Sequence, residues 1–169
     1  MPTDQELLGR ITAGDENALA ALYHSYYQRL GRFLIRMVND PELVVEVIND
    51  VFLVVWQKSA SFRGDASVSS WIIGIAYRKA LKALRKSRPW SSLEQVDTAA
   101  LAAPDGAHAS LELESSLAHL SPAHRAVMEL TYFFGYSYSE IGEILDCPEN
   151  TVKTRMFHAR RLLRSILEV

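Results

Sequence analysis

Apolar residues recur at helical spacing through most of this 169-residue chain, and no stretch alternates apolar and polar residues for long enough to form a strand. An all-α fold follows. Helices are expected over residues 4–13, 16–38, 41–57, 68–87, 110–120, 122–134, 137–145 and 149–167. Two of them open with a capping residue ahead of a proline at the first helical position: Asp40 before Pro41, and Ser121 before Pro122.

Between Pro89 and Ala109 the chain turns to Ala, Ser, Asp, Pro and Gly with scattered apolar residues, a composition suited to a flexible tether. Two small helical domains are therefore expected, over residues 1–90 and 111–169, joined by a linker at 91–110. A flexible linker of that length spans about 25 Å by random-coil scaling, so each domain could engage its own target while raising the other's effective concentration. Net charge is only -2, but it is segregated. Residues 74–93 carry Arg78, Lys79, Lys82, Arg85, Lys86 and Arg88 and no acid, whereas residues 94–118 carry five acids and no Lys or Arg. Binding to an anionic polymer would have to come from such local faces.

Several classes of function find no support in the residues. The single cysteine, Cys147, excludes an internal disulfide framework and suits a reducing compartment. The longest apolar run, 51–56, is too short to cross a bilayer, and the N-terminus lacks a secretory pattern, so a soluble cytoplasmic protein with no membrane insertion is expected. His24, His108, His119, His124 and His158 show no metal-ligand spacing, and Cys147 has no His or basic neighbour in sequence. The eight glycines are dispersed, without a phosphate-cradling loop. No catalytic residue, metal or cofactor is expected, and the chain is not read as an enzyme.

Residues 138–155 have the ordered parts of a helix-turn-helix. Gly142 supplies a small residue where two helices cross, Ile141, Ile144 and Leu145 face inward, and the turn ends at Pro148. In the following helix Val152, Met156, Ala159, Leu163 and Ile166 share one face, and Lys153, Thr154, Phe157, Arg161 and Arg164 share the opposite one. The N-terminal part of such a helix reaches base edges in the major groove. Lys153 can donate to guanine, Thr154 can meet several bases, and Phe157 can pack on a thymine methyl. Thr151, Arg155 and Arg160 are placed for phosphates. The competing reading is an amphipathic surface helix with solvated charges.

In residues 68–87, Trp71, Ile75, Arg78, Lys82 and Arg85 form one stripe, with Ile73, Tyr77, Ala80 and Leu84 on the other side. Aromatic and cationic groups on one face suit unpaired DNA, where bases stack and phosphates meet cations. The loop 62–67, carrying Phe62, Arg63, Asp65 and Ser67 and flexible at Gly64, suits a base turned out of the stack. Trp71 fits either a base platform or a core anchor.

Residues 137–144 (SYSEIGEI), 151–155 (TVKTR) and 159–163 (ARRLL) closely resemble region 4.2 of the extracytoplasmic-function (ECF) group of sigma-70-family sigma factors. Residues 50–56 (DVFLVVW), 62–67 (FRGDAS) and 70–72 (SWI) resemble regions 2.2 and 2.3 of that family. The resemblance implies promoter-specific initiation by core RNA polymerase, contacted through its β′ clamp helices and β flap. It implies minus-35 contacts by Thr151, Lys153, Thr154, Arg155, Phe157, His158 and Arg161. Minus-10 contacts would fall to Phe62, Arg63, Asp65, Ser67, Trp71, Arg78 and Lys82, and core-polymerase contacts to Glu46, Asp50, Val51, Phe52 and Trp56. Anti-sigma proteins regulate many relatives, so an anti-sigma factor is a candidate partner.

The chain departs from the family pattern at three places. His158 stands where the family usually has arginine, and Arg78 where many members have asparagine. The acidic pair ahead of the Phe-Leu-x-x-Trp motif is replaced by Val45-Glu46. Apolar contacts through Val44, Val47 and Val51 are expected to offset the missing charge; the alternative is a kinase that phosphorylates a nearby hydroxyl such as Ser59 or Ser61. Two other classes share the helix-turn-helix: a DNA-binding regulator with an N-terminal ligand or dimerisation domain, and a protein-interaction module whose basic faces bind an acidic partner.

Overall fold

The structure, a computed structural model, describes residues 1–87, 116, 117 and 119–168. Every regular element among them is helical: α1 (Asp4–Thr12), α2 (Glu16–Val38), α3 (Pro41–Lys58), a single 3-10 turn (Ser59–Ser61), α4 (Val68–Ser87), α5 (Pro122–Tyr132), α6 (Tyr138–Leu145) and α7 (Glu149–Leu167). The expected tether at 91–110, and residues 110–115 of the expected helix at 110–120, lie outside the described residues. At the end of that helix, residues 119 and 120 form a turn and a bend rather than helix. The chain divides into two compact units, one of Met1–Leu84 with Glu143–Asp146 and the other of Arg85–Gly142 with Cys147–Val169.

The helix ends follow from local chemistry. Thr3 and Glu6 form a reciprocal capping box, Thr3 N–H donating to Glu6 Oε2 at 2.8 Å and Glu6 N–H to Thr3 Oγ1 at 3.2 Å. Asp15 accepts from the N–H groups of Asn17 and Ala18 at the start of α2. The Arg10 guanidinium, 2.7 Å away, holds the Asp15 carboxyl below its ordinary value, helped by the Ala18 N–H. Asp40 caps α3 ahead of Pro41, as expected, and Ser121 caps α5 by accepting from His124 N–H. Ser137 lies outside α6 and caps it, accepting from Glu140 N–H while its own N–H donates to Glu140 Oε2 at 2.7 Å. The expected α5 ran to residue 134. It stops at Tyr132 because Gly135 takes a φ of 70° and Tyr136 N–H closes back on the Leu130 carbonyl at 3.0 Å.

In the first unit α2 packs against α1 and α3, and the 3-10 turn packs against α1 and α3. Leu22, Leu30, Phe33 and Leu34 of α2 and Ile48, Val51 and Val55 of α3 are fully or almost fully buried. Tyr26 is also buried, and its hydroxyl donates to the Asp4 carboxylate of α1. Burial first, and then the Asp4 carboxylate, push that hydroxyl above its ordinary pKa, so it remains a donor. The Arg29 guanidinium covers the Tyr26 ring at 5.5 Å and donates to Ser69 Oγ of α4 at 3.1 Å. In the second unit α5 packs on α7, with Ala126, Val127 and Leu130 facing buried Val152, Met156, Ala159 and Leu163.

Gly142 sets how closely the turn after α6 can fold back. A Cβ there would lie 2.8 Å from the Cys147 carbonyl oxygen and 3.6 Å from Glu149 N. Gly31, inside α2, has nothing within 4 Å of the corresponding point. Gly142→Ala is therefore expected to destabilise the second unit by about 1–3 kcal/mol through overpacking, although alanine is the better helix former. Gly31→Ala is expected to stabilise by about 0.5–1 kcal/mol. Urea unfolding followed by circular dichroism checks the opposite signs.

Candidate nucleic-acid and protein interfaces

Helix α7 is sharply two-sided. Val152, Met156, Ala159 and Leu163 are buried and Ile166 is half-buried, while Lys153, Thr154, Phe157, Arg161 and Arg164 are exposed. Phe157 is a large aromatic side chain left 62% exposed between cationic neighbours. The exposed groups differ in how free they are. Lys153 Nζ lies 3.5 Å from Glu149 Oε1, an exposed pair worth a few tenths of a kcal/mol and easily surrendered to a phosphate or base. Thr154 donates its hydroxyl to the Asn150 carbonyl at 2.9 Å, so outward it offers lone pairs.

The flanks of this face depart from the sequence reading. Arg160, assigned there to phosphate, donates from Nε at 3.1 Å and Nη2 at 2.8 Å to the Tyr132 hydroxyl and covers that ring at 5.9 Å. It ties α7 to α5. Those hydrogen bonds, chiefly, raise its pKa above the ordinary arginine value. Thr151 and Arg155 are half-buried at the opposite flank, and Arg155 Nη1 lies 3.8 Å from Cys147 Sγ, so Cys147 has a basic neighbour that its sequence surroundings did not reveal. His158 is exposed, with its ring 5.6 Å from Phe157 and 6.3 Å from His124 of α5. Two histidines far apart in sequence thus meet, but no group of three metal-binding side chains exists among the described residues.

The second surface belongs to α4 and the loop before it. Gly64 takes a φ of 80°, which turns the loop and leaves Arg63 and Asp65 exposed. The Phe62 and Trp71 rings lie 5.4 Å apart, tilted by 53°, both half-buried, so Phe62 props Trp71 with part of its indole still accessible. Ser67 is occupied as the cap of α4: it accepts from Ser70 N–H at 3.0 Å and donates to Ser70 Oγ at 2.9 Å. The stripe expected to run unbroken from Trp71 is interrupted, because Ile75 is buried with the rest of 72–77. The exposed cationic part begins at Arg78 and continues through Lys82, Arg85 and Lys86.

The third surface is the outer side of α3. Two of the expected contact residues face inward: Val51 is 0% and Phe52 4% exposed, because the helical phase that buries Val44, Val47 and Val55 also buries them. Val44, Val47 and Val51 therefore cannot supply the apolar compensation assigned to them. Exposed apolar area comes instead from Val45, 42% exposed, and Leu53, 53% exposed, beside Glu42, Glu46, Asn49 and Asp50. Leu53 opens onto a groove of about 470 Å³ between α2 and α3, lined also by Leu19, Tyr23, Asn49, Phe52 and Trp56. Tyr23 shapes its floor, stacking edge-on to Phe52 at 5.0 Å and donating to Asn49 Oδ1 at 3.2 Å. Of the two hydroxyls considered for phosphorylation, Ser59 is buried, whereas Ser61 is exposed and donates to the Lys58 carbonyl at 2.6 Å. Among the described residues no helix is long and apolar enough to cross a membrane.

Residues 22–89 match the model of Sigma-70 region 2, and residues 110–163 that of Sigma-70, region 4. Over 98% of its length the chain is 27% identical to the RNA polymerase sigma-H factor of Pseudomonas aeruginosa, covering 94% of it. It is 28% identical to the ECF RNA polymerase sigma-E factor of Haemophilus influenzae, over 98% of this chain and 96% of that one. With the ECF RNA polymerase sigma factor SigL of Mycobacterium tuberculosis it shares 29% identity over 92% of each chain. Among solved structures, CnrH in complex with the cytosolic domain of CnrY shares the fold with a TM-score of 0.74 at 22% identity, over 98% of this chain and 97% of that one. The sigma factor RpoE of Bartonella quintana, solved with the anti-sigma factor NepR, aligns with a TM-score of 0.64 at 23% identity, over 84% of this chain and 91% of that one.

Phe52 and Leu53 are sequence neighbours in opposite surroundings. Phe52→Ala is expected to cost about 3–5 kcal/mol of stability, the usual result of emptying a buried aromatic site. Leu53→Ala is expected to stay within about 0.5 kcal/mol of the parent chain. Thermal unfolding of the two variants separates a core residue from a surface one.

Proposed function

Since the chain belongs to the ECF subfamily of sigma-70-family sigma factors and directs promoter-specific transcription initiation with core RNA polymerase, we propose a division of labour among its three surfaces. Residues 1–90 act as region 2, residues 111–169 as region 4, and 91–110 as the connection between them. The exposed face of α7 holds the minus-35 duplex through Lys153, Thr154, Phe157, His158 and Arg161, with Thr151 and Arg155 at its edge. The loop before α4, with Trp71, Arg78 and Lys82, takes the opened minus-10 strand. The outer face of α3 docks on polymerase through Val45, Glu46, Asp50, Leu53 and Trp56, while Val51 and Phe52 hold that helix in place from behind.

The observation that carries this reading is the two-sidedness of α7. A helix whose buried side is fixed against α5 presents Phe157 and the cations Lys153, Arg161 and Arg164 to solvent, with Glu149, paired to Lys153, the one acid along α7. Phosphates are met by the cations, and base edges by Thr154 and Phe157. Nothing in these surfaces requires a bond to be made or broken, so the role is recruitment and strand capture in the compartment where polymerase works. The similarly folded sigma factor RpoE, solved with the anti-sigma factor NepR, supports an anti-sigma factor as a further partner, and the exposed apolar groove at Leu53 gives such a protein a place to compete with polymerase.

In vitro transcription with core polymerase lacking any other sigma factor tests the assignment. The full chain is expected to produce discrete start sites from a genomic template pool. Leu53→Asp is expected to lower core affinity by about thirtyfold, the lower end of a hot-spot loss, without changing the melting temperature. Arg161→Ala is expected to retain core binding and to flatten the salt dependence of promoter binding by about one phosphate contact. Unchanged core affinity in Leu53→Asp would remove α3 from the polymerase interface.

A further inference from the structure

We propose that Asn150 reads an adenine in the upstream promoter element, as a specificity-determining residue additional to the face already described. The inference rests on α7 being the recognition helix. At 3.6 residues per turn, Asn150, Thr154, Phe157 and Arg161 follow one another at spacings of four, three and four, a single stripe diametrically opposite buried Val152, Met156, Ala159 and Leu163. Asn150 sits on the centre line of the exposed face rather than at its margin. It is also in the first turn of α7, the part of a recognition helix that enters the groove most deeply.

The local hydrogen bonds leave its side chain available. Thr154 bonds to the Asn150 main-chain carbonyl at 2.9 Å, and the Asn150 side-chain amide has no hydrogen-bond partner among the described residues. The cap before α7 is Pro148, which has no side-chain hydrogen bond to offer, so Asn150 is not drawn into a capping network. An exposed carboxamide presents one donor and one acceptor side by side. In the major groove adenine alone presents the complementary adjacent pair, N6–H donor and N7 acceptor, whereas guanine shows two acceptors, cytosine a donor and thymine an acceptor beside a methyl. Asn150 is neutral, so its contact adds sequence discrimination while Lys153, Arg161 and Arg164 supply the electrostatic affinity.

The test uses holoenzyme assembled from the full chain and core polymerase to select duplexes from a library randomised across the upstream promoter region, with sequencing of the bound fraction. The parent chain is expected to prefer adenine at one position by about fivefold or more, the lower end for a bidentate contact. Asn150→Ala is expected to lose the preference at that position alone and keep the rest of the profile. Asn150→Asp, which can only accept, is expected to move the preference there from adenine to cytosine, whose N4 amino group donates. The retained positions show that both variants fold and dock. A profile unchanged by both substitutions would overturn the assignment to Asn150 while leaving α7 as the recognition helix. A flat upstream profile for the parent chain would overturn both.

Discussion

The close passage of the chain over Gly142 is the constraint on which the helix-turn-helix depends. With the Cys147 carbonyl oxygen 2.8 Å from where a Cβ would stand, only glycine lets the turn between α6 and α7 fold this tightly. The turn then fixes where α7 begins, and the buried line from Val152 to Leu163 fixes its rotation. Once both are set, the opposite line of Asn150, Thr154, Phe157 and Arg161 has no alternative but to face solvent. The exposed face is thus a consequence of how the other side packs, and the Arg160 to Tyr132 contact adds a polar tie between α7 and α5.

The first unit follows the same logic with a different outcome. Helix α3 is more apolar than its buried side requires, so Val45 and Leu53 remain on the outside among acids. An apolar surface rimmed by charge is suited to a protein partner, and the groove beside Leu53 gives it depth. Val45, which departs from the acidic pattern of the family, is itself part of that surface. The charge lost at this position is therefore replaced by exposed apolar area on the same face, rather than by the buried valines on the other side.

Most of the architecture was legible in the sequence because the signals were local. Asp40 before Pro41, Ser121 before Pro122 and the Gly142 to Pro148 turn each act within a few residues of themselves, and the 3.6 period of α7 separated its two faces correctly. The errors arose where a residue's neighbours come from another helix. Val51 and Phe52 lie in a motif associated with polymerase binding, yet they are buried because α2 covers that side of α3. Ile75 has the spacing of the cationic stripe, but its burial interrupts the stripe. Arg160 has the charge for phosphate contact, and its bond to Tyr132, 28 residues earlier, was not visible in the sequence. Asn150 was missed for another reason: it carries no charge, and its place at the centre of the exposed face emerges only when the helix is counted back from Thr154 and Phe157.

Helix α7 is proposed to lie in the major groove of the minus-35 element while the chain is bound to polymerase. Replacing Phe157 with a benzophenone-bearing phenylalanine in the full chain, and irradiating holoenzyme on one of its own promoters, tests this most directly. A crosslink to the upstream element, in the minus-35 duplex, is expected. Crosslinks confined to polymerase subunits or to the minus-10 region would contradict it.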